Sequence, residues 1–198
     1  MSVFLDVGAH DGQTLEEVIK PQYGFGSVYA FEPMLLQYNH LQDQYGYIEN
    51  VRILPFGLWN QKGKYSVYGD NSHLEASMFQ EKIDVDENIE STCMFLKASD
   101  VVSKFSEQVV MKLNVEGAEV TILRDLIETG AIFNCRSIMV DFDCVKIPGQ
   151  EHLKQQTIDQ MNSVGFDRYC LAEDVMVGDT HGKRIAHWLR TIGIGTDG

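Results

Sequence analysis

The chain alternates short apolar runs with stretches of helical periodicity, and no other feature of the sequence restricts its fold as much. VFLDVGA at 3–9 reads as a buried strand, after which Leu15, Val18 and Ile19 recur at helical spacing. SVYAFE at 27–32 is a second strand, closed by Pro33. Met34, Tyr38, Leu41 and Tyr45 mark one face of the next helix, and Gly46 suits its C-terminal cap. VRILPFGLW at 51–59 supplies a third strand, with Pro55 implying a bulge or an end inside it. The rhythm resumes with a strand in VVMKLNV (109–115), a helix in AEVTILRDLIETG (118–130) and a strand in SIMVDF (137–142). A helix from Glu151 to Val164 and a late strand in RYCLAE (168–173) follow. Alternation of this kind specifies an α/β fold with a mostly parallel central sheet and helices on both faces.

The pattern lapses between 62 and 98, where β-formers and turn residues occur without a helical period. That stretch is expected to form an antiparallel, β-rich insertion, with DVDENIES as its solvated acidic loop. Without a linker, repeat or low-complexity tract, the 198 residues read as one domain spanning 1–198. The tail segment VMVGDTHGKRIAHWLRTIG is expected to add a last strand or to cover a ligand pocket.

Charge narrows the choice of partners. Sixteen basic residues against 29 acidic ones leave a formal net charge of −13, a poor surface for polyanions. Long nucleic acid and anionic membrane are therefore disfavoured. No apolar run approaches the roughly 20 residues that span a bilayer. The N-terminus has no basic region and meets Asp6 too early for a signal peptide, so a cytoplasmic location is expected. Cys93, Cys135, Cys144 and Cys170 lie too far apart for zinc-ligand spacing and read as buried free thiols. No metal is expected.

DVGAHDGQT at 6–14 reads as the turn between the first strand and the first helix, with Gly8 and Gly12 letting a ligand approach the backbone. Glu32 ends the adjacent strand, so the turn and a carboxylate come together at the carboxyl edge of the sheet, where ligands sit in such folds. A carboxylate there accepts both hydroxyls of a ribose. Pyrophosphate cofactors need G-x-G-x-x-G; here the spacing is G-x-x-x-G, and Asp11 would repel a phosphate. An adenosyl ligand carrying positive charge instead of phosphate, such as S-adenosylmethionine, fits these residues. The alternatives are an ordinary strand-to-helix turn for the glycines and loop capping for Asp6, which as a buried carboxylate needs donors.

Three segments in order, DVGAHDG at 6–12, YAFEPMLLQYNHL at 29–41 and KLNVEGAEVTILRD at 112–125, resemble the FkbM-type methyltransferases. This class I S-adenosylmethionine-dependent family acts mainly on hydroxyls of sugars and related natural products. GLWNQKG at 57–63 is similar to a further segment of the family, and the resemblance covers about residues 3 to 145. It implies a Rossmann-like class I methyltransferase fold, with cofactor contacts at Asp6, Gly8, Ala9, His10 and Gly12 and with Glu32 on the ribose. It also implies that residues 57–60 border the adenine, where Leu58 and Trp59 form an apolar wall or, for Trp59, simply core. Asn60 would accept a hydrogen bond from the adenine amino group. Two features depart from the family. Asn114 replaces an aspartate, and little chain precedes the first strand, which leaves the pocket more open or completed by a partner.

Methyl transfer to a hydroxyl needs alignment, desolvation and a base. The turn after the fourth strand presents Asn114, Glu116 and Glu119. Glu116 is the first candidate base, against a helix N-terminal role; for Glu119 that structural role is preferred. Asn114 is read as holding the methionine moiety or the acceptor. His10 is the alternative base, or a contact of the cofactor's carboxylate. Asp141 and Asp143 are placed on one face by alternation, to orient a hydroxyl or, with Asn114, to bind a divalent cation. Lys112, inside a strand, should pair with a carboxylate. His73 and Ser77 edge the acceptor pocket or lie in a surface loop, and His152, His181 and His187 form no recognisable ligand set.

The expected function is thus O-methylation of a sugar or small-metabolite hydroxyl by S-adenosylmethionine. Set against it are a non-catalytic adenosyl-binding protein and a methyltransferase acting on RNA or protein. Oligomeric state is open.

Overall fold

The structure is a computed structural model that describes residues 2–69, 76–83, 85–175 and 180–195. Its main sheet contains β1 (Val3–Val7), β2 (Ser27–Phe31) and β3 (Val51–Leu54). After Pro55 the chain leaves that sheet and builds a second one from β4 (Gly57–Trp59), β5 (Gly63–Tyr68) and β6 (Glu90–Lys97), then returns through β7 (Val109–Leu113), β8 (Cys135–Val140) and β9 (Tyr169–Leu171). The main sheet runs β3-β2-β1-β7-β8-β9, and every pairing in it is parallel. Numbered within the sheet alone, that is the order 3-2-1-4-5-6 of a doubly wound Rossmann fold.

The single expected strand over 51–59 is therefore two strands in different sheets, because Pro55 has no N–H to donate to a continuing ladder. The insertion is a mixed sheet of order β4-β6-β5: β5 pairs antiparallel with β6 as expected, while β4 pairs parallel with it.

Helices cover both faces. α3 (Ala98–Val102), α4 (Glu119–Glu128) and α5 (Leu153–Ser163) pack on the face that buries Val3, Leu5, Val7, Met111 and Leu113. α1 (Gln13–Val18), α2 (Leu35–Tyr45) and α6 (His181–Thr191) cover the face of Phe4, Ala30, Val110 and Met139. Since both faces of β1 and β7 are buried, these strands read as apolar runs broken only by Asp6 and Lys112. Register places Asp6 opposite Lys112, and they form an ion pair, Nζ to Oδ1 3.2 Å. The lysine thus meets a carboxylate, as its place inside a strand requires.

The described part of the tail is not a strand. Residues 181–191 form α6, whose Ile185, Trp188 and Leu189 are fully buried on the sheet, with Trp188 Nε1 donating to Ser137 Oγ at 3.1 Å. No helix is long and apolar enough to cross a membrane among the described residues. Cys93, Cys135, Cys144 and Cys170 are free, and all but Cys170 are buried.

Candidate active site

The strand order reverses between β1 and β7, and the turns that leave their carboxyl ends meet there. Gly8 has φ +78°, and a Cβ on it would lie 1.9 Å from the carbonyl oxygen of Asn114. Glycine at position 8 thus lets the two turns touch. Gly12, with φ +88°, begins α1 and faces the Tyr45 ring and Leu41 of α2, at 2.6 and 2.9 Å from a built Cβ. The glycines expected to admit a ligand are required first by chain-to-chain contact.

The turn is held from below. Gly8 and Ala9 donate their N–H groups to the Phe31 carbonyl at 3.0 and 3.2 Å, and His10 N donates to Glu32 Oε2 at 2.9 Å. Gly12 N donates to Ala9 O and Gln13 N to Asp11 Oδ1. A phosphate needs free N–H donors converging on it; in this turn the N–H groups of Gly8, Ala9, His10, Gly12 and Gln13 already have protein acceptors. Lys112 Nζ donates to Gly8 O at 2.7 Å, so the buried Asp6–Lys112 pair supports the turn from the sheet.

Above the turn lies a cleft that is open to solvent on one side. Gly8, His10, Glu32, Leu58, Asn114 and Glu116 line it, joined by apolar groups of the second sheet and neighbouring segments: Met34, Val67, Ala76, Met78 and Phe95. Among the described residues its wall contains two glutamates and no lysine or arginine. Asp6, Ala9, Gly12, Trp59 and Asn60 lie off this wall. Asp6 is buried beneath it, Ala9 packs into the core on the α1 side, Trp59 meets the Phe79 ring in a T-shaped contact, and Asn60 is exposed. Of the segment expected to border an adenine, Gly57 and Leu58 reach the cleft.

Glu32 is buried, and its two oxygens accept from His10 N and Met34 N, each at 2.9 Å. Each carboxylate oxygen has a second lone pair, which remains for hydroxyl donors in the cleft. Burial pushes its carboxyl up to about 7. Asn114 Oδ1 is buried without a hydrogen-bond partner, as is His10 Nδ1, which stands 3.7 Å from Asp11 Oδ1. An orphaned buried acceptor is costly, and one on a ligand cleft is matched by a donor on the ligand.

The turn after β7 carries two carboxylates, Glu116 and Glu119. Glu116 sits at φ +54°, a left-handed conformation that costs a non-glycine residue about 1–2 kcal/mol. Ser77 Oγ donates to its carbonyl at 2.6 Å, and Lys82 Nζ lies 2.9 Å from its Oε2. Burial and the neighbouring Asp143 raise the Glu116 carboxyl to about 7. Glu119 is fully buried and accepts from Gly117 N at 2.9 Å and Val115 N at 3.3 Å, which is the structural role expected for it. Asp143 does not share a face with Asp141: β8 ends at Val140, and Asp143 starts a 3₁₀ turn in which it pairs with Lys146 at 2.7 Å. No group of three or more His, Cys, Asp or Glu side chains is arranged to hold a metal among the described residues.

Several residues in or beside the cleft carry no local signal in the sequence. Met34, Val67, Met78 and Phe95 look like ordinary core residues, and Lys82 looks like surface charge, yet its side chain is fully buried. They reach the site only because the second sheet folds over the end of the first. Ser77 lies against the β7 turn, at the cleft's edge; His73 falls outside the described residues.

Residues 6–167 match the model of the methyltransferase FkbM domain. No curated protein sequence matches the chain. Among solved structures, the methyltransferase FkbM from Methylobacillus flagellatus KT is similar at 18% identity and a TM-score of 0.44, over 67% of this chain and 31% of that one. The chain thus spans under a third of that protein's length.

Proposed function

The chain belongs to the FkbM methyltransferase domain family, and from that premise we propose that it is an S-adenosylmethionine-dependent O-methyltransferase acting on a hydroxyl of a sugar or small metabolite. One observation carries the choice of donor. The cleft at the switch point is lined, among the described residues, by two glutamates and no lysine or arginine, beside a turn in which the N–H groups of Gly8, Ala9, His10, Gly12 and Gln13 are already engaged. That lining repels a phosphate and favours an adenosyl group bearing a sulfonium and an ammonium.

In this reading Glu32 accepts the ribose hydroxyls with its remaining lone pairs. Leu58, Met34 and Phe95 bury the base, and the orphaned Asn114 Oδ1 accepts from the ammonium of the amino-acid end. When bound, S-adenosylmethionine supplies an electrophilic methyl group: an oxygen–carbon bond forms as the sulfur–carbon bond breaks, leaving S-adenosylhomocysteine. Glu116 takes the proton released by the hydroxyl. Its raised carboxyl sits near neutral pH, where a general base is most effective. Lys82 holds that carboxylate at the cleft wall.

Calorimetry with S-adenosylmethionine and S-adenosylhomocysteine tests the proposal, with both expected to bind. Absence of measurable heat from either ends it. Binding without turnover over a broad panel of hydroxylated acceptors would instead make this a cofactor-binding protein.

A further inference from the structure

We infer that the methyl acceptor is a hydroxylated anion, and that it binds in a second cleft which meets the donor cleft at Asn114. This inference rests on the methyltransferase reading above. The second cleft opens at the carboxyl ends of β7, β8 and β9, against α6. Strand alternation turns Lys112 and Asn114 of one strand, and Met139 and Asp141 of the next, toward it. Asn114 lines both clefts, so a molecule seated in the second can reach a methyl group presented from the first.

The two clefts differ in charge. Among the described residues the donor cleft is lined by no lysine or arginine, whereas Lys112 and Arg184 line the second. Lys112 is already committed to Asp6. The Arg184 guanidinium is not: it forms no ion pair, and its Nε is buried without a hydrogen-bond partner, among the described residues. Glu173, on the same wall, is ion-paired to Lys154. His181 is no competitor for an anion either. Its Nε2 is bonded to Thr14 Oγ1 at 2.9 Å, and burial together with Lys112 and Arg184 pushes its ring down to about 4, so it is neutral.

Asp141 is the complementary group. Its carboxylate has no hydrogen bond or ion pair with a described residue, and burial, followed by the negative charge of Asp143, raises its carboxyl. A partly buried guanidinium lacking an anion and a carboxylate lacking a donor are satisfied together by one molecule with an anionic group and a hydroxyl. Arg184 takes the anionic group, for which its fork suits carboxylate and phosphate alike. Asp141 accepts a hydroxyl hydrogen and so orients the acceptor. Sugar acids and sugar phosphates have this chemistry; a neutral sugar leaves Arg184 unsatisfied.

The experiment is calorimetry on the full chain saturated with S-adenosylhomocysteine, titrated with D-glucuronate, D-glucose 6-phosphate, D-glucose and D-glucosamine. One of the two anions should bind on the order of tenfold more tightly than glucose, and which one does separates carboxylate from phosphate. Arg184→Met should remove that preference, and Arg184→Lys should keep part of it. S-adenosylhomocysteine affinity in both variants should stay within roughly threefold of wild type. Equal binding of glucose and the anions, tightest binding of glucosamine, or an undiminished anion preference in Arg184→Met overturns the inference. So does loss of S-adenosylhomocysteine affinity in Arg184→Met with 5′-methylthioadenosine affinity retained, because the cleft would then hold the donor's amino-acid end. Failure of the wild type to bind S-adenosylhomocysteine counts against the donor reading instead.

Discussion

Lys82 Nζ stands 2.9 Å from Glu116 Oε2, tying segment 76–83 to the turn after β7. Ser77 Oγ donates to the Glu116 carbonyl in the same attachment, and Ile83 N donates to the Lys146 carbonyl, in the 3₁₀ turn after β8. The ammonium of Lys82 is wholly buried, so removing its partner is costly. Glu116→Gln should destabilise the protein by about 3–5 kcal/mol in urea denaturation, and Lys82→Met, which leaves the less buried group behind, by less. The double variant should recover part of the loss. If the two single losses simply add, the pair is not coupled.

Glu32 links the donor cleft to the loops on either side through His10 N and Met34 N. Glu32→Ala should weaken S-adenosylhomocysteine binding on the order of tenfold or more, since it removes the ribose acceptor and frees both loops. An affinity equal to wild type by calorimetry would refute the ribose assignment.

The contact between Gly8 and Asn114 allows a graded test of the glycines. Gly8→Ala drives a methyl group into a backbone oxygen at φ +78° and should cost more than about 3 kcal/mol, or prevent folding. Gly130, at φ +75°, faces open space, so Gly130→Ala should cost only about 1–2 kcal/mol. Similar losses for the two in denaturant titrations would show that conformation alone, and not the crossing of two turns, requires glycine at 8.

Asp6 and Lys112 are almost fully buried, opposite one another on adjacent strands. Lys112→Met strands the carboxylate and removes the donor to Gly8 O, and should cost about 3–5 kcal/mol. Asp6→Asn combined with Lys112→Met should be milder than Lys112→Met alone. An equal or greater loss in urea denaturation would mean that the pair does not act as a unit.

Burial holds Glu32 at about 7 and Glu119 at about 8, against an ordinary value of 4.5. A carboxyl raised in the folded state binds its proton more tightly there than in the unfolded chain. Its stabilising effect is therefore full below the ordinary value and is lost as pH rises through the folded value. The thermal midpoint of the unliganded protein should fall by several degrees between about pH 5 and about pH 8. Glu119→Gln should flatten that slope. A midpoint that rises over this interval would contradict the assignment.

The parallel sheet was legible because each strand is a short apolar run bounded by a glycine, a proline or a helical period. Those are local properties, and VFLDV and VVMKL show them plainly. Lys112 could be expected to find an acid because a charge inside a buried strand must. The ordered motifs around Gly8, Glu32 and Asn114 were enough to suggest an adenosyl ligand at the β1 turn. Other features depended on parts of the chain distant in sequence. Trp59 lies off the cleft because Leu58 occupies the inward position of β4, and Asn60 because the strand ends before it. Phe95 and Met78 came into it because the second sheet closes over the first. Burial of Lys82, and the approach of Arg184 and Asp141 at the ends of α6 and β8, arise from packing between segments tens of residues apart, whose side chains carry no mark of their eventual neighbours. Hydrophobic periodicity thus determined the layers and strand directions, since it acts between near neighbours along the chain. The charges that share a cleft were decided only when those layers closed, because a charge's partner is set by distance in space.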